Sequence, residues 1–151
     1  MAIYFYKIDE PFGCFSNFSQ HGIELDGQWW LTTEHYFQAQ KFAGTSHMEE
    51  IRLAPSPKEA AMRGRDCTRP LRSDWERVKD DVMRRAVLCK FEAHADLREI
   101  LLATGEEELV ERNVLDYYWG CGQDGSGRNM LGCILMEVRT ILRLRSDIEE
   151  V

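Results

Sequence analysis

The sequence predicts an α+β fold, a single helix-rich domain over residues 1–151 with a small N-terminal antiparallel β element. Strand-like aromatic and branched residues and an Asp-Gly dipeptide are confined to the N-terminal region. From Thr33 onward, apolar residues recur at helical spacing instead. No repeat, low-complexity tract or linker divides the chain, and its length of 151 residues suits one domain with its own core.

Two strand-like segments make up the β element. The stretch from Ile3 to Ile8 is rich in aromatic and branched residues, which favour extended backbone. The run from Gly22 to Leu31 places Asp26-Gly27 between strand-like flanks, which is a strong signal for a tight hairpin turn. We therefore predict one strand and one hairpin ahead of the first helix.

Helices dominate the rest of the chain. Capping boxes with Ser56 and Ser73 as N-caps begin two of them, and Gly105 is placed to end a third. In order, the predicted elements are a helix from Thr33, one after Ser56, a long one from Ser73 as far as Phe91, one over Ala95–Ala103, a short strand over Leu109–Glu111 and a last amphipathic helix over 130–144.

The charge distribution favours a small phosphorylated ligand over a long polyanion. The formal net charge is −7, whereas generic binding to nucleic acid needs basic surface to displace counterions. Basic residues are concentrated between Lys58 and Lys90, where ten Lys or Arg outnumber six Asp or Glu. Most of these charges are expected to solvate helices, and the local excess suits a phosphate group.

The cysteines and histidines predict neither a disulfide framework nor a metal site. Five cysteines are widely spaced without a C-x-x-C pair, and four histidines show no H-E-x-x-H spacing. The first residues lack the basic and apolar regions of a signal peptide, and no apolar stretch is long enough to span a bilayer. We expect a cytoplasmic protein that needs no metal or cofactor. We also expect that it does not associate with a membrane and has no obligate protein partner.

The segment Thr33–Phe42, TEHYFQAQKF, carries an acid, an amide and an amine on one side of its predicted helix. Glu34, Gln38 and Lys41 are spaced i, i+4 and i+7, which brings them onto one face. Taken alone, this trio is interpreted as a solvated polar face, and the alternative is a functional site. The residues predicted to face the core on the opposite side are Tyr36, Ala39 and Ala43.

The segment Asp116–Gly132 is too rich in glycine for a purely structural interpretation. It holds five glycines in seventeen residues directly ahead of the last helix, so its backbone is able to approach a ligand closely. The free N–H groups expected at the start of that helix, together with Arg128, are typical of a phosphate site. The segment is neither a Walker loop nor a dinucleotide fingerprint.

Several short motifs recur in a fixed order along the chain. They are F-S-N-F (15–18), E-H-x-x-Q-x-x-K (34–41), D-W (74–75), M-x-x-A-x-x-x-K-F (83–91), L-L-A-T-G (101–105), V-E (110–111), D-x-x-W-G-x-G (116–122) and G-x-N-x-L-G (127–132). With this series the sequence resembles the NADAR family, also called YbiA-like, over nearly its whole length. The resemblance implies a YbiA-like fold and cleavage of an N-glycosidic bond to ribose.

The resemblance leaves two substrates open. One is ADP-ribose linked to guanine, including guanine in ADP-ribosylated nucleic acid, and the other is a small phosphoribosylamino-pyrimidine intermediate of riboflavin synthesis. Both share a ribose C1–N bond and a phosphate on the ribose 5-position. Some relatives have W-G-D-G where this chain has W-G-C-G, and Cys121 supplies no carboxylate. This difference favours the ADP-ribosyl substrate. A non-catalytic binding module for NAD-derived ligands is the alternative of another class.

Breaking a ribosyl C1–N bond needs either charge stabilisation by a carboxylate or opening of the sugar ring, in which a neutral lysine forms a Schiff base. The resemblance favours Lys41 as that amine, with Glu34 shuttling protons. Burial beside Phe37 and Phe42 would lower the pKa of Lys41 whereas Glu34 would raise it, and the sequence leaves the outcome open. We expect these two groups and the segment Asp116–Gly132, called here the tryptophan–glycine loop, to lie around one cavity the size of a sugar.

The remaining site residues follow from the same motifs. Asp116 is expected either to orient the ribose hydroxyls or to serve as a second carboxylate. The aromatic residues expected to stack on the base are Phe18, Trp75 and Trp119, and the alternative is that they pack in the core, which applies to Trp75 more than to Trp119. The amides expected to bind ribose or base edges are Asn17, Gln38 and Asn129. Gly127 and Arg128 complete the predicted substrate-binding residues, with Arg128 as the phosphate contact.

Overall fold

The computed structural model describes residues 1–149 and confirms the predicted α+β class with its small antiparallel β element. The elements, in chain order, are β1 (Ala2–Phe5), a 3₁₀ turn (Gly13–Phe15), β2 (Ile23–Leu25), β3 (Gln28–Trp30), α1 (Thr33–Gln40), α2 (Ser46–Arg52), α3 (Pro57–Gly64), α4 (Trp75–Ala93), α5 (Ala95–Ala103), β4 (Glu108–Glu111) and α6 (Met130–Glu149). No helix within these residues is both long enough and apolar enough to cross a bilayer.

The chain divides into two compact units. The terminal unit comprises residues 1–16 and the chain from Phe91 onward, and the middle unit comprises residues 17–90. The sequence predicts a single domain, and that expectation stays a prediction. Each unit has its own secondary structure and its own set of predicted site residues.

In the terminal unit, β1 pairs with β4 in parallel, with Ala2 opposite Glu108 and Phe5 opposite Glu111. The predicted strand at 109–111 is thereby confirmed, but its pairing across most of the chain has no local signal in the sequence. The apolar face of α6 is buried along Leu131, Ile134, Leu135, Val138 and Leu142. Ile141, which the sequence assigns to that face, is instead 39% exposed, because it lies at the margin of the stripe.

The middle unit begins with the predicted hairpin. Strands β2 and β3 are antiparallel, and Asp26 and Gly27 both have positive φ, 54° and 76°. Positive φ at both central positions defines the type I′ turn that Asp-Gly favours. Trp30 is fully buried, packs edge-on against Tyr36 at 5.1 Å between ring centroids, and donates its indole N–H to the Leu25 carbonyl.

Helices α1 and α3 are fixed by side-chain caps. The Thr32 hydroxyl accepts from the His35 N–H at the start of α1, and the predicted cap Ser56 accepts from the Glu59 N–H at the start of α3. At the start of α4 the carbonyl of Asp74 accepts from the Val78 N–H, so the N-cap is Asp74 and the prediction of Ser73 is wrong by one residue.

Helix α1 ends at Gln40, earlier than the helical pattern suggests. The last turn tightens, because the N–H groups of Lys41, Phe42 and Ala43 donate to carbonyls only three residues back. The turn rotates Phe42 into the core, where it is 2% exposed, and leaves Ala43 exposed. The prediction that Ala43 faces the core is therefore wrong.

Candidate active site

The polar face of α1 is buried. Every residue from Thr33 to Ala39 is buried, including Glu34 at 7% and Gln38 at 3% exposure. The interpretation of this trio as a solvated polar face is therefore wrong. Burying an acid and an amide costs free energy unless the groups are paired, so this face needs specific partners.

Gln38 and Glu34 are joined directly within α1. The Gln38 side-chain amide donates from Nε2 to Glu34 Oε1 at 2.7 Å. An ionised carboxylate only accepts hydrogen bonds, so this contact fixes which way the amide points. Gln38 Oε1 then faces away from Glu34 and accepts no hydrogen bond from any residue that the structure describes.

The Lys41 amine lies directly after α1 in a confined, largely apolar setting. Its Nζ donates to the Gly64 carbonyl at 3.3 Å and lies 5.9 Å and 6.0 Å from the ring centroids of Phe37 and Trp75. The second ring beside the amine is thus Trp75, whereas Phe42, which the sequence places there, packs against His47. The predicted residues Lys41 and Trp75 therefore lie close together.

Burial lowers the pKa of Lys41. Desolvation is the largest cause, the Glu34 charge raises the pKa, and the Arg65 charge lowers it. The sequence leaves open whether burial or the Glu34 charge has the larger effect on the Lys41 pKa. In the structure burial has the larger effect, because desolvation penalises the ammonium form. A lysine whose pKa is lowered has more neutral amine near neutral pH, which is the form that attacks a carbonyl-level carbon.

Arg65 is a cation beside this site that sequence reasoning missed. It is exposed and forms no ion pair with any residue between 1 and 149. Each of the other seven arginines of the middle unit is ion-paired: Arg52, Arg63, Arg69, Arg72, Arg77, Arg84 and Arg85. The sequence does carry a signal, because no Asp or Glu lies three or four residues from Arg65.

Asn17 supports the start of α1. Its Oδ1 accepts from the Thr33 hydroxyl at 2.9 Å, its Nδ2 donates to the Met83 sulfur, and its carbonyl accepts from the Glu34 N–H. Asn17 therefore fixes the backbone from which Glu34 projects. Phe18 is half-buried beside it. The predicted substrate contacts of both residues stay predictions.

His35, the histidine of the E-H-x-x-Q motif, anchors α1 and is fully buried. Its Nε2 lies 3.0 Å from the Ala54 carbonyl and its Nδ1 lies 2.8 Å from the Thr32 hydroxyl. Because a carbonyl only accepts, Nε2 carries the proton, and burial lowers the pKa of the ring and keeps it neutral. This histidine is a structural part of the motif.

In the terminal unit, the Asp116 carboxylate organises the tryptophan–glycine loop. Its Oδ1 accepts from the N–H groups of Tyr118 and Trp119 at 2.9 and 2.8 Å. Trp119 is half-buried and packs edge-on against Tyr118, and the Arg128 guanidinium lies 5.0 Å from the Tyr118 ring centroid. Asp116 Oδ2 accepts no hydrogen bond from the residues that the structure describes.

The start of α6 does not offer the free N–H groups that the sequence suggests. The N–H groups of Met130 and Leu131 donate to the carbonyls of Tyr118 and Trp119 at 3.0 and 3.1 Å. The loop therefore caps the helix that follows it, and the expectation of free phosphate-binding N–H groups is wrong at these two positions. The half-buried thiol of Cys121 lies in this same loop.

Gly127 and Asn129 hold the loop together. A Cβ on Gly127 would lie 2.4 Å from the Gly120 carbonyl oxygen, so glycine is needed for the close approach of two backbone segments. Asn129 has φ +52°, and its side-chain amide accepts from the Glu111 N–H and donates to the Leu109 carbonyl, both at 2.9 Å. Their predicted contacts to a substrate stay predictions.

Two sets of predicted residues thus form, one in each unit. The middle unit brings together Asn17, Glu34, Gln38, Lys41 and Trp75, and the loop of the terminal unit brings together Asp116, Trp119, Gly127, Arg128 and Asn129. That both sets act on one substrate stays a prediction. Within residues 1–149 no group of three or more His, Cys, Asp or Glu is arranged to hold a metal ion.

Comparison with known proteins identifies close relatives over most of the chain. The NADAR domain family model matches residues 4–143. An N-glycosidase of Nostoc punctiforme is 54% identical over 146 residues, covering 95% of this chain and 94% of that protein. The N-glycosidase YbiA of Escherichia coli is 51% identical over 142 residues, covering 94% and 89%.

A solved structure and a more distant relative extend this picture. The NMR structure of Escherichia coli YbiA matches with a TM-score of 0.89 and 50% identity, covering 96% of this chain and 86% of that chain. The chloroplastic riboflavin biosynthesis protein PYRR of Zea mays is 44% identical over 153 residues, covering 91% of this chain and 25% of the maize protein.

Proposed function

This chain belongs to the NADAR domain family, and from that premise we propose that it is an N-glycosidase that hydrolyses the ribose C1–N bond of a 5-phosphorylated ribosyl substrate. The relatives named N-glycosidases support the reaction class. The observation that carries the mechanism is the buried pair of Glu34 and Gln38 together with the half-buried Lys41, whose pKa is lowered by desolvation.

In the proposed reaction, Lys41 forms the covalent intermediate. The ring C1–O4 bond opens as O4 takes a proton, and the neutral Lys41 amine adds to C1. The C1–N bond then breaks, the leaving base takes a proton, and C1 remains bound to Lys41 as a Schiff base. Water hydrolyses the Schiff base, which releases the ribose and regenerates the amine, so one water is consumed for each C1–N bond broken.

Glu34 is the proposed proton shuttle for these steps. Its carboxylate takes the proton that the Lys41 amine loses on adding to C1 and gives it to the ring oxygen O4 as the C1–O4 bond opens; the second amine proton passes in the same way to the leaving base when the Schiff base forms. Gln38 holds the carboxylate through the 2.7 Å hydrogen bond, which keeps Glu34 in place while its charge changes. Asp116 is the proposed second carboxylate and acts through Oδ2, since its Oδ1 is bonded to the loop backbone.

Arg65 is the proposed contact for the substrate phosphate. It is the arginine of the middle unit that lacks an ion pair in the described chain, and it follows Gly64, whose carbonyl binds the Lys41 amine. A guanidinium binds a phosphate through two parallel hydrogen bonds. This placement suits a ribose whose 5-position carries phosphate, which ADP-ribose and phosphoribosyl compounds share.

ADP-ribose on guanine is the proposed substrate, because Cys121 replaces an acid of the tryptophan motif that some relatives retain. The maize relative, a riboflavin biosynthesis protein by name, supports a phosphoribosylamino-pyrimidine as the second candidate. A non-catalytic binding module is disfavoured, since binding alone needs neither a buried acid nor a lysine with lowered pKa.

Measuring kcat/KM for ADP-ribosyl-guanosine and for a phosphoribosylamino-pyrimidine decides between the two candidate substrates. A nucleic-acid substrate would further show rates that fall steeply with salt.

Borohydride trapping tests the proposal. Borohydride reduces a Schiff base to a stable secondary amine, so turnover of ADP-ribosyl-guanosine in its presence should leave the sugar on Lys41, located by peptide mass spectrometry. We expect Lys41→Ala to lose both adduct and turnover but to retain measurable binding, and Lys58→Ala, an exposed lysine, to match the wild type. A Lys41→Ala variant with wild-type rate would refute the mechanism. Because the chemistry uses only side chains, EDTA should not change the rate.

A further inference from the structure

Gly64, the last residue of α3, contacts both Lys41 and Gln38. Its carbonyl accepts the hydrogen bond from Lys41 Nζ at 3.3 Å. Its Cα lies against the side chain of Gln38, the residue that binds Glu34. Gly64 is itself buried, and it has helical backbone without a positive φ, so its conformation alone does not require glycine.

Space, not backbone conformation, explains glycine at this position. A Cβ built on Gly64 would lie 2.1 Å from Gln38 Oε1, 2.8 Å from Gln38 Cδ and 2.7 Å from Gln38 Cβ. The oxygen could swing away, but the Cβ of Gln38 is fixed to the α1 backbone. Since carbon atoms pack at about 3.5–4.0 Å, any side chain at 64 would force α1 and α3 apart by about 1 Å.

The same contact locks the Gln38 amide. Nε2 points to the Glu34 carboxylate, so Oε1 points back to Gly64, and it has no hydrogen-bond donor among the residues described. One Cα–H bond of Gly64, the one in the direction a Cβ would take, points toward this oxygen, and Cα–H groups are weak donors to oxygen. The Gln38 side chain is therefore held between Glu34 and Gly64.

We propose that Gly64 is the positioning residue for both reacting groups: its carbonyl holds the Lys41 amine, and its missing side chain leaves the space in which Gln38 holds the Glu34 carboxylate. The inference rests on the proposed function, in which Lys41 and Glu34 carry the chemistry. One glycine on a neighbouring helix thus fixes the position of the Lys41 amine directly and the position of the Glu34 carboxylate through Gln38.

Replacement of Gly64 should disturb the two groups in different ways. Separation of α1 from α3 lets water reach Lys41, and because desolvation is the main cause of its lowered pKa, the pKa rises toward that of an ordinary lysine. On the other side, a displaced Gln38 amide releases the Glu34 carboxylate. The raised Lys41 pKa shifts the pH dependence of amine reactivity. The release of the Glu34 carboxylate lowers turnover but does not shift that pH dependence.

The probe for the amine is ribose 5-phosphate, whose open form is an aldehyde. Its carbonyl condenses with neutral Lys41 to an imine and one water, and borohydride delivers hydride to the imine carbon, so the trapping rate against pH reports the Lys41 pKa without turnover. We expect Gly64→Ala to shift this profile upward by about one pH unit, which is about tenfold in trapping rate near pH 7, and to lower kcat on ADP-ribosyl-guanosine at least tenfold. Met62→Ala, at an exposed position of α3, should change neither.

The double variant Gly64→Ala with Gln38→Gly separates the two effects. It removes all three overlaps, so α3 returns to its place and the trapping profile returns to wild type, while kcat stays at the level of the Gln38→Gly single variant. If Gly64→Ala does not fold, this pair of variants carries the same test. A wild-type trapping profile and kcat in folded Gly64→Ala, or a double variant whose profile stays shifted, overturns the proposal.

Lys41→Ala, measured alongside, distinguishes this inference from the proposed function. If Lys41→Ala turns over at the wild-type rate, the proposed mechanism fails, whatever Gly64 does. If Lys41→Ala is inactive and Gly64→Ala is unchanged in both assays, only the positioning role of Gly64 fails.

Discussion

Helix α1 and the tryptophan–glycine loop, residues 116–132, use their polar groups in opposite ways. In α1, a carboxylate and an amide are buried against each other, and one amide oxygen lacks a hydrogen-bond donor among the described residues. In the loop, Asp116, Gly127 and Asn129 bond to or pack against backbone groups. The Glu34–Gln38 pair leaves one buried amide oxygen without a donor among the described residues, which favours a functional role, whereas polar groups that bond to the backbone indicate architecture.

The largest test of this contrast is Glu34→Gln. The amide keeps the size of the carboxylate but transfers no proton, so we expect kcat on ADP-ribosyl-guanosine to fall by about 10²- to 10⁴-fold, the usual contribution of general acid–base catalysis. The thermal midpoint should change little, because an amide oxygen at this position still accepts from Gln38 Nε2. Glu24→Gln, at an exposed position of the hairpin, serves as control. A rate within threefold of wild type would remove Glu34 from the mechanism.

The next effect, on stability, belongs to the loop. Asn129→Ala removes two hydrogen bonds to the backbone of β4 and puts a Cβ at φ +52° without the polar side chain that tolerates it. We expect the free energy of unfolding, measured with urea, to fall by about 2–4 kcal/mol.

Asn129→Gly separates the two causes of that loss. Glycine makes neither hydrogen bond but accepts the positive φ, so this variant should be about 1 kcal/mol more stable than Asn129→Ala. Gln123→Ala, exposed in the same loop, should match the wild type. If Asn129→Ala unfolds at the wild-type urea concentration, the proposed contribution of the two Asn129 hydrogen bonds to stability is wrong.

Local signals determine how much of the molecule the sequence predicts. Asp26-Gly27 predicts the hairpin and Ser56 the start of α3, because each motif acts on its own neighbours in the chain. The parallel pairing of β1 with β4 has no such signal, since its partners are distant in sequence.

The same distinction holds within the candidate site. The spacing of Glu34, Gln38 and Lys41 predicts a shared face, but the pKa of Lys41 depends on packing against Trp75 and Gly64, which the sequence does not locate. The loop glycines predict a close approach, yet the group approached is the loop's own backbone and the start of α6. The glycine content predicts that another group comes close to the loop backbone, but it does not identify that group.

Asp116→Asn tests whether the loop also has a chemical role. The amide oxygen replaces Oδ1 as acceptor for the N–H groups of Tyr118 and Trp119, so stability should stay within about 0.5 kcal/mol of wild type. Oδ2 becomes an N–H₂ group that no longer accepts a hydrogen bond from a ribose hydroxyl. A charged hydrogen bond contributes about 1.5–3 kcal/mol, so we expect kcat/KM to fall by about ten- to hundredfold. Unchanged kcat/KM in a stable variant would assign Asp116 to architecture alone.

The smallest expected effect concerns the pH profile of Arg65→Gln. The Arg65 charge disfavours the ammonium form of Lys41 and so lowers its pKa, and removal of that charge raises the pKa. Because the neutral amine reacts, the rising limb of the rate should move to higher pH by a fraction of a pH unit. The KM for a 5-phosphorylated substrate should rise as well, since the proposed phosphate contact is lost. Lys58→Gln removes an equal charge at the other end of α3 and should leave both quantities unchanged. If the KM rises but the rising limb of the pH profile does not move, Arg65 is a phosphate contact that does not affect the pKa of Lys41.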